Sequence, residues 1–190
     1  MALDTIRKLL EPDQRLVEEV IETNEEWKGK IFDVAHLQVE LSDKSRDWRE
    51  VVFHNGGAGV CVVKDQKMCL VRQYRVAIGR MTLEIPAGKI DKGEDPAVCA
   101  ARELREETGI VAGRMEFLAN SNGAPGFTNE KTRVFVAKDI TMEESAPDEG
   151  EFVDVVWLPV EDVIEAIRAG LIEDAKTVVS AFAVAAGLAG

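Results

Sequence analysis

Apolar and polar positions change character near residue 50. Residues 1–50 are polar and mixed, and predict a helix over 13–23 with short strands around "KIFDVAHLQVEL". From there on the pattern is denser. "GVCVVKDQKMCLVRQYRV" reads as a hairpin, two runs rich in Val, Leu and Cys separated by the polar "KDQK". "LEIPAGKI" is a short strand running into a Pro and Gly turn, and "EDPAVCAARELREETG" is a helix with punctuation at both ends. Asp95 stands where an N-cap belongs, Pro96 at the first helical position, and Gly109 at the C-terminal stop. Strands follow at "MEFLAN", "TRVFVAKDI" and "FVDVVWLP", with a Gly and Pro loop and an acidic loop between them, and then helices over about 160–169 and 173–187. The order strands, helix, strands, helices predicts an α/β chain with a mixed β-sheet and helices packed on it. No internal repeat or low-complexity tract interrupts it.

Composition narrows the class. At 190 residues, with 46% hydrophobic and 31% charged residues, the chain fits one globular core with an N-terminal arm. No apolar run approaches the roughly 18 residues of a membrane helix, so no membrane partner is expected. The start "MALDTIRKLLEPDQ" lacks the apolar core of a signal peptide, and a cytoplasmic location is the expectation. Cys61, Cys69 and Cys99 sit in apolar surroundings without CxxC spacing, which predicts buried thiols and neither a zinc site nor disulfides. A formal net charge of −12 and a pI near 4.7 exclude a nucleic-acid-binding surface, which needs clustered Lys and Arg. A phosphate ligand would have to be met locally, with the help of metal cations.

"ARELREETG" bears on that point. At about 100° per residue, Glu103, Glu106 and Glu107 fall on one helix face, opposite Ala97, Ala101, Leu104 and Thr108. The expectation is a helix that packs through its small apolar side and points its carboxylates away from that contact. Like charges at this spacing repel by roughly 0.2–0.5 kcal/mol per exposed pair. A solvated face neutralised by Arg102 and Arg105 would account for the charge. So would a hard divalent cation such as Mg²⁺, which takes oxygen ligands and is commonly held by carboxylates together with substrate phosphates. Upstream, "PAGKIDKGE" adds Gly88 and Glu94.

The combined string resembles the Nudix box, G-x5-E-x7-R-E-U-x-E-E-x-G-U with U apolar, at every specified position. A chance match is on the order of one in a billion per starting position. The resemblance implies a Nudix-type α/β/α sandwich with a mixed sheet, and hydrolysis of a nucleoside diphosphate derivative with Mg²⁺, for which Mn²⁺ substitutes. It implies that Arg102 orients the glutamates and that Glu103, Glu106 and Glu107 ligate metal with the carbonyl of Ala87. Beyond the box, "RQYR", "EIPAGKID", the "PGF" loop, "DEGEFVDV" and "DAKT" resemble the ADP-ribose pyrophosphatase branch, which implies cleavage to AMP and ribose 5-phosphate. By that analogy Arg75 meets the phosphates or terminal ribose and Glu84 the substrate or metal shell. Pro125 and Gly126 lie in the specificity loop, sixteen residues beyond Gly109 for Pro125. Glu149 and Glu151 are the acidic-loop carboxylates for a base or further ligand, and Glu151 is slightly favoured.

Trp48, and less directly Trp27, resemble the aromatic residues that sandwich adenine in some members. There the arm crosses a homodimer, so residues 1–50 are expected to serve dimerisation by arm exchange and 51–190 to form the catalytic domain. Trp157 is expected in the core, and His36 and His54 in structural roles. "FHNGGAGV" and "GAPG" depart from the branch pattern, which leaves the box intact but bears on terminal-ribose specificity. Alternatives are another nucleoside diphosphate sugar such as GDP-mannose, an oxidised nucleotide, or a non-catalytic nucleotide-sensing module.

Overall fold

The structure, a computed structural model, describes residues 2–146, 150 and 152–189. Its chain divides into two compact units, Met1–His54 with Ala124–Asn129, and Asn55–Gly123 with Glu130–Gly190.

The first unit holds helix α1 (Ala2–Leu9) and the strands β1 (Glu19–Lys28), β2 (Phe32–Glu40) and β3 (Arg46–His54), paired antiparallel in the order β1-β2-β3. The helix expected over 13–23 is not formed, since β1 begins at Glu19. Val20, Ile21 and Thr23 are β-branched, and nine residues of β2 offer a pairing partner, so sheet formation overrides a short helical spacing. The expected short strands are nine and ten residues long. The Gly and Pro loop is fastened to β3: Val52 donates its amide to Phe127 at 2.8 Å and accepts from Asn129 at 3.3 Å, while the His54 amide reaches the Asn129 side chain at 2.8 Å.

The second unit contains β4 (Gly57–Cys61), β5 (Val63–Lys64), β6 (Lys67–Arg75), β7 (Arg80–Glu84), β8 (Ala87–Lys89), α2 (Pro96–Thr108), β9 (Ile110–Ser121), β10 (Thr132–Met142), β11 (Asp154–Pro159), α3 (Val160–Arg168) and α4 (Ala175–Ala185). One sheet runs β8-β4-β10-β9, with β4 and β10 parallel and the other pairs antiparallel. A second runs β11-β6-β5, and β7 adds to β6. The predicted hairpin is present at its tip, where Asp65 and Gln66 take φ of 50° and 60° and close the tight turn between β5 and β6. Its first arm then changes sheets, because β4 pairs with β8 and β10.

Period-two alternation builds a core on each side of the first sheet. Ala58, Val60, Phe135 and Ala137 pack with Cys99, Ala100 and Leu104 of α2, while Cys61, Val134 and Val136 pack with Val163 of α3 and Ala181 of α4. This is the expected α/β/α sandwich. Trp157 packs against the first core, and all three cysteines are buried free thiols that burial pushes up to about 12.

Helix α2 ends as its sequence predicts. Asp95 accepts from the amides of Ala97 and Val98, and Gly109 takes φ 71°, where a Cβ would lie 2.4 Å from the carbonyl oxygen of Glu143. The packed face is rolled from the expected one: Ala101 is exposed, and Cys99, Ala100 and Glu107 are buried with Leu104 and Thr108. Carboxylates expected to point away from the packing are drawn into it, because the loop at Ala87 and Gly88 receives them. Leu104 is fully buried, so Leu104→Ala should destabilise the fold by roughly 2–5 kcal/mol. A lowered urea midpoint with unchanged slope would be the measured signature.

Candidate active site

The site grows from the middle and last turns of α2. Arg102 donates from Nε and Nη2 to the two oxygens of Glu94 at 3.0 and 3.2 Å, and from Nη1 to Glu103 at 2.8 Å and Glu106 at 2.9 Å. Only a planar fork with several N–H directions can serve three carboxylates in this way. Glu94 also accepts from the Asp91 amide at 3.0 Å, which ties the loop before the helix to the helix itself. Arg102 and then the Asp91 amide hold the Glu94 carboxyl at about 2, and Glu94, joined by Glu103 and Glu106, raises Arg102.

Two carboxylates lie against the loop at Ala87 and Gly88. A Cβ on Gly88 would fall 1.9 Å from Cδ of Glu103 and 2.0 and 2.3 Å from its oxygens, so the absence of a side chain is what makes room for that carboxylate. Glu107, 6% exposed, accepts from the Ala87 amide at 3.1 Å. Among the described residues no three His, Cys, Asp or Glu side chains converge in a metal-holding arrangement, since Glu103 and Glu106 close on Arg102. The donor set itself is all oxygen, and the Gly88 cradle places it on a rigid helix beside a backbone turn. That chemistry fits a hard divalent cation and not a soft one.

Arg75 and Glu84, assigned separately from sequence, form a bidentate pair at 2.8 and 2.8 Å. Glu84 also accepts from Thr82 Oγ1 at 2.7 Å and Lys176 Nζ at 2.6 Å. Burial pushes the Glu84 carboxyl up, but Arg75, Lys176 and Thr82 together outweigh it and hold the group at about 2. The charge of Glu107 reaches Arg75, so the pair borders the box. Sequence reasoning missed Lys176, Asp174 and Thr177. The signal was "DAKT", noted as a string without a role for any of its side chains.

Trp27, Trp48, Pro125 and Gly126 belong to the first unit. Trp27 is half-exposed and packs on Phe32 at 5.1 Å between ring centroids, and Trp48, also half-exposed, lies 6.3 Å from the ring of His36. His36 stands within 3.3 Å of Glu50 and 3.6 Å of Glu26. Glu149 and Glu151 lie outside the described residues.

An α/β/α sandwich that gathers glutamates of one helix on an arginine, beside a glycine loop, defines a hydrolase of the Nudix type. The chain belongs to the NUDIX domain family, whose model matches residues 53–181. It is 38% identical over 166 residues to a methanol dehydrogenase activator of Bacillus methanolicus, covering 86% of this chain and 90% of that protein. It is 37% identical over 165 residues to an ADP-ribose pyrophosphatase of Bacillus subtilis (strain 168), covering 85% and 89%. Among solved structures it resembles an ADP compounds hydrolase with a TM-score of 0.81 and 26% identity, over 91% of this chain and 95% of that one.

Gly88→Ala should lower the melting temperature by a few degrees, because it pushes the Glu103 carboxylate off Arg102, and should cut turnover by at least about tenfold through the same displacement. Steady-state kinetics beside thermal melting would separate the two effects. Acid should also destabilise the fold in a defined window. Glu84 and Glu94 have folded values of about 2 against 4.5 ordinarily, so their contribution is present above about 4.5 and is lost as the pH falls toward about 2. Urea midpoints should fall across that window, and less steeply in Glu94→Gln.

Proposed function

We propose that this Nudix hydrolase is a homodimeric, cytoplasmic, Mg²⁺-dependent ADP-ribose pyrophosphatase that yields AMP and ribose 5-phosphate, with Mn²⁺ able to substitute. The observation that carries the reading is the Arg102-centred glutamate cluster against Ala87 and Gly88, bordered by the Arg75–Glu84 pair. The named activity of the Bacillus subtilis relative supports the substrate.

Glu103, Glu106 and Glu107, with the Ala87 carbonyl, are the residues that would hold the cation. A bound divalent ion supplies neutralisation of the diphosphate and a more acidic water. The chain's own groups do the rest. Arg102 holds the carboxylates of Glu94, Glu103 and Glu106 in one orientation. Arg75 engages Glu84 through Nε and Nη2, which leaves Nη1 for a phosphate oxygen. Water oxygen adds to one phosphorus of the anhydride, the bridging oxygen leaves with the other phosphate, and a carboxylate of the acidic loop takes the water proton. Glu151 is assigned that role first and Glu149 second.

Trp48 and Trp27 offer half-exposed indole faces suited to stacking on adenine, with residues 1–50 exchanged across the dimer and Pro125 and Gly126 beside the terminal ribose.

Glu107→Gln tests the assignment. Gln retains an acceptor for the Ala87 amide, so the fold should persist while turnover falls by about a hundredfold or more. The measurement is hydrolysis across a nucleotide-sugar panel, with products identified by mass. Retained Mg²⁺-dependent turnover in the variant would remove the metal role, and cleavage by the wild type of GDP-mannose alone would remove the ADP-ribose reading.

A further inference from the structure

We propose that Lys176 is a positioning residue for the diphosphate-binding guanidinium of Arg75, acting through Glu84; the inference rests on the reading of this site as a nucleoside diphosphate hydrolase. Both oxygens of Glu84 are doubly engaged. Oε1 accepts from Arg75 Nε at 2.8 Å and Thr82 Oγ1 at 2.7 Å, and Oε2 accepts from Arg75 Nη2 at 2.8 Å and Lys176 Nζ at 2.6 Å. The Lys176 side chain is only 12% exposed, and its ammonium is held from the other side by Asp174 at 2.8 Å. Facing two carboxylates and nearly closed to solvent, it is placed to set Glu84 and not to meet substrate.

The anchoring continues into the backbone. Asp174 caps α4 through the Thr177 amide at 3.0 Å and also accepts from the Thr177 hydroxyl at 2.5 Å. That hydroxyl in turn accepts from the Ile85 amide at 2.8 Å. The end of β7 is therefore tied to the first turn of α4 at two successive residues, Glu84 by its side chain and Ile85 by its amide. The Lys176 stem reaches the pair through a slot over β4. A Cβ on Gly59 would stand 3.1 Å from Ile85 Cδ1 and 3.4 Å from Lys176 Cδ, so a side chain there would narrow it.

Lys176 and Asp174 add one charge of each sign to the Glu84–Arg75 pair, so what Lys176 supplies is placement. It shares Glu84 with Arg75 and fixes the plane of a guanidinium that, at 43% exposed, an anion can reach. Asp174 keeps Lys176 from swinging toward the ligand itself.

The test compares Lys176→Met, Lys176→Gln and Lys176→Arg by ADP-ribose kinetics and by calorimetric binding of ADP at constant Mg²⁺. Lys176→Met should raise the KM for ADP-ribose and the Kd for ADP by about tenfold while kcat changes by less than about threefold, and Lys176→Arg should restore most of both. In an Arg75→Ala background, Lys176→Met should add no further loss of ADP affinity, because its effect runs through that guanidinium.

Wild-type KM and Kd in folded Lys176→Met, or a full additive loss in the Arg75→Ala background, would overturn the proposal. If the Met variant does not fold, Lys176→Gln decides by the same constants, since it keeps a donor and lacks the charge. Failure of the wild type to cleave ADP-ribose would remove the substrate reading alone, because the ADP affinities still judge Lys176.

Discussion

Glu94, Glu103 and Glu106 meet on the guanidinium of Arg102, and the acidic face of helix α2 depends on that meeting. Without the cation, three carboxylates in one loop and two helical turns would repel, and the helix would form with its acidic face turned to water. Arg102 converts the repulsion into a scaffold. Because Glu94 precedes the N-cap Asp95, the same contact that steadies the helix face also ties down the loop leading into it. A lysine could neutralise one partner there, but a point charge has no fork with which to hold three in fixed directions.

That scaffold is useful only because the sheet delivers a backbone turn to it. β4 pairs with β8 so that Ala58 stands opposite Gly88 and Gly59 opposite Ala87. Alternation then assigns the two faces. Ala58 and Val60 pack beneath α2, which brings Gly88 under Glu103, while Gly59 opens toward α4 and gives passage to the stem of Lys176. One short strand thus sets the acidic centre on one side of the sandwich and the route to Arg75 on the other. Two glycines, each spared a side chain for a different neighbour, make this possible.

The box was legible because its spacing is set by helix geometry and by one tight loop, both local in sequence. The caps at Asp95 and Gly109 were legible for the same reason. The roll of the helix was not, because it follows from Gly88 and Ala87 drawing in Glu103 and Glu107, a contact between segments that a helical wheel treats as independent. The helix expected over 13–23 overlaps only the first half of the strand Glu19–Lys28, and the strand forms there because its partner, β2, lies on the far side of a turn and pairing decides where local spacing is ambiguous. The Lys176 contact carried no sequence signal, since its partner Glu84 lies 92 residues away.

The two charged centres differ in a way that bears on how an anionic substrate can approach an acidic protein. At the box, three carboxylates face one guanidinium and Glu107 stands beside them, which leaves an excess of negative charge beside a backbone turn. Around Glu84, two carboxylates face two cations and the balance is even, with Arg75 the most exposed member. The first centre is suited to a cation and the second to an anion. The chain's overall charge of −12 would repel a free diphosphate, so any affinity for one has to come from this local division of charge. Specificity for what is attached to the diphosphate then falls to other surfaces, because neither centre offers anything that distinguishes one sugar from another.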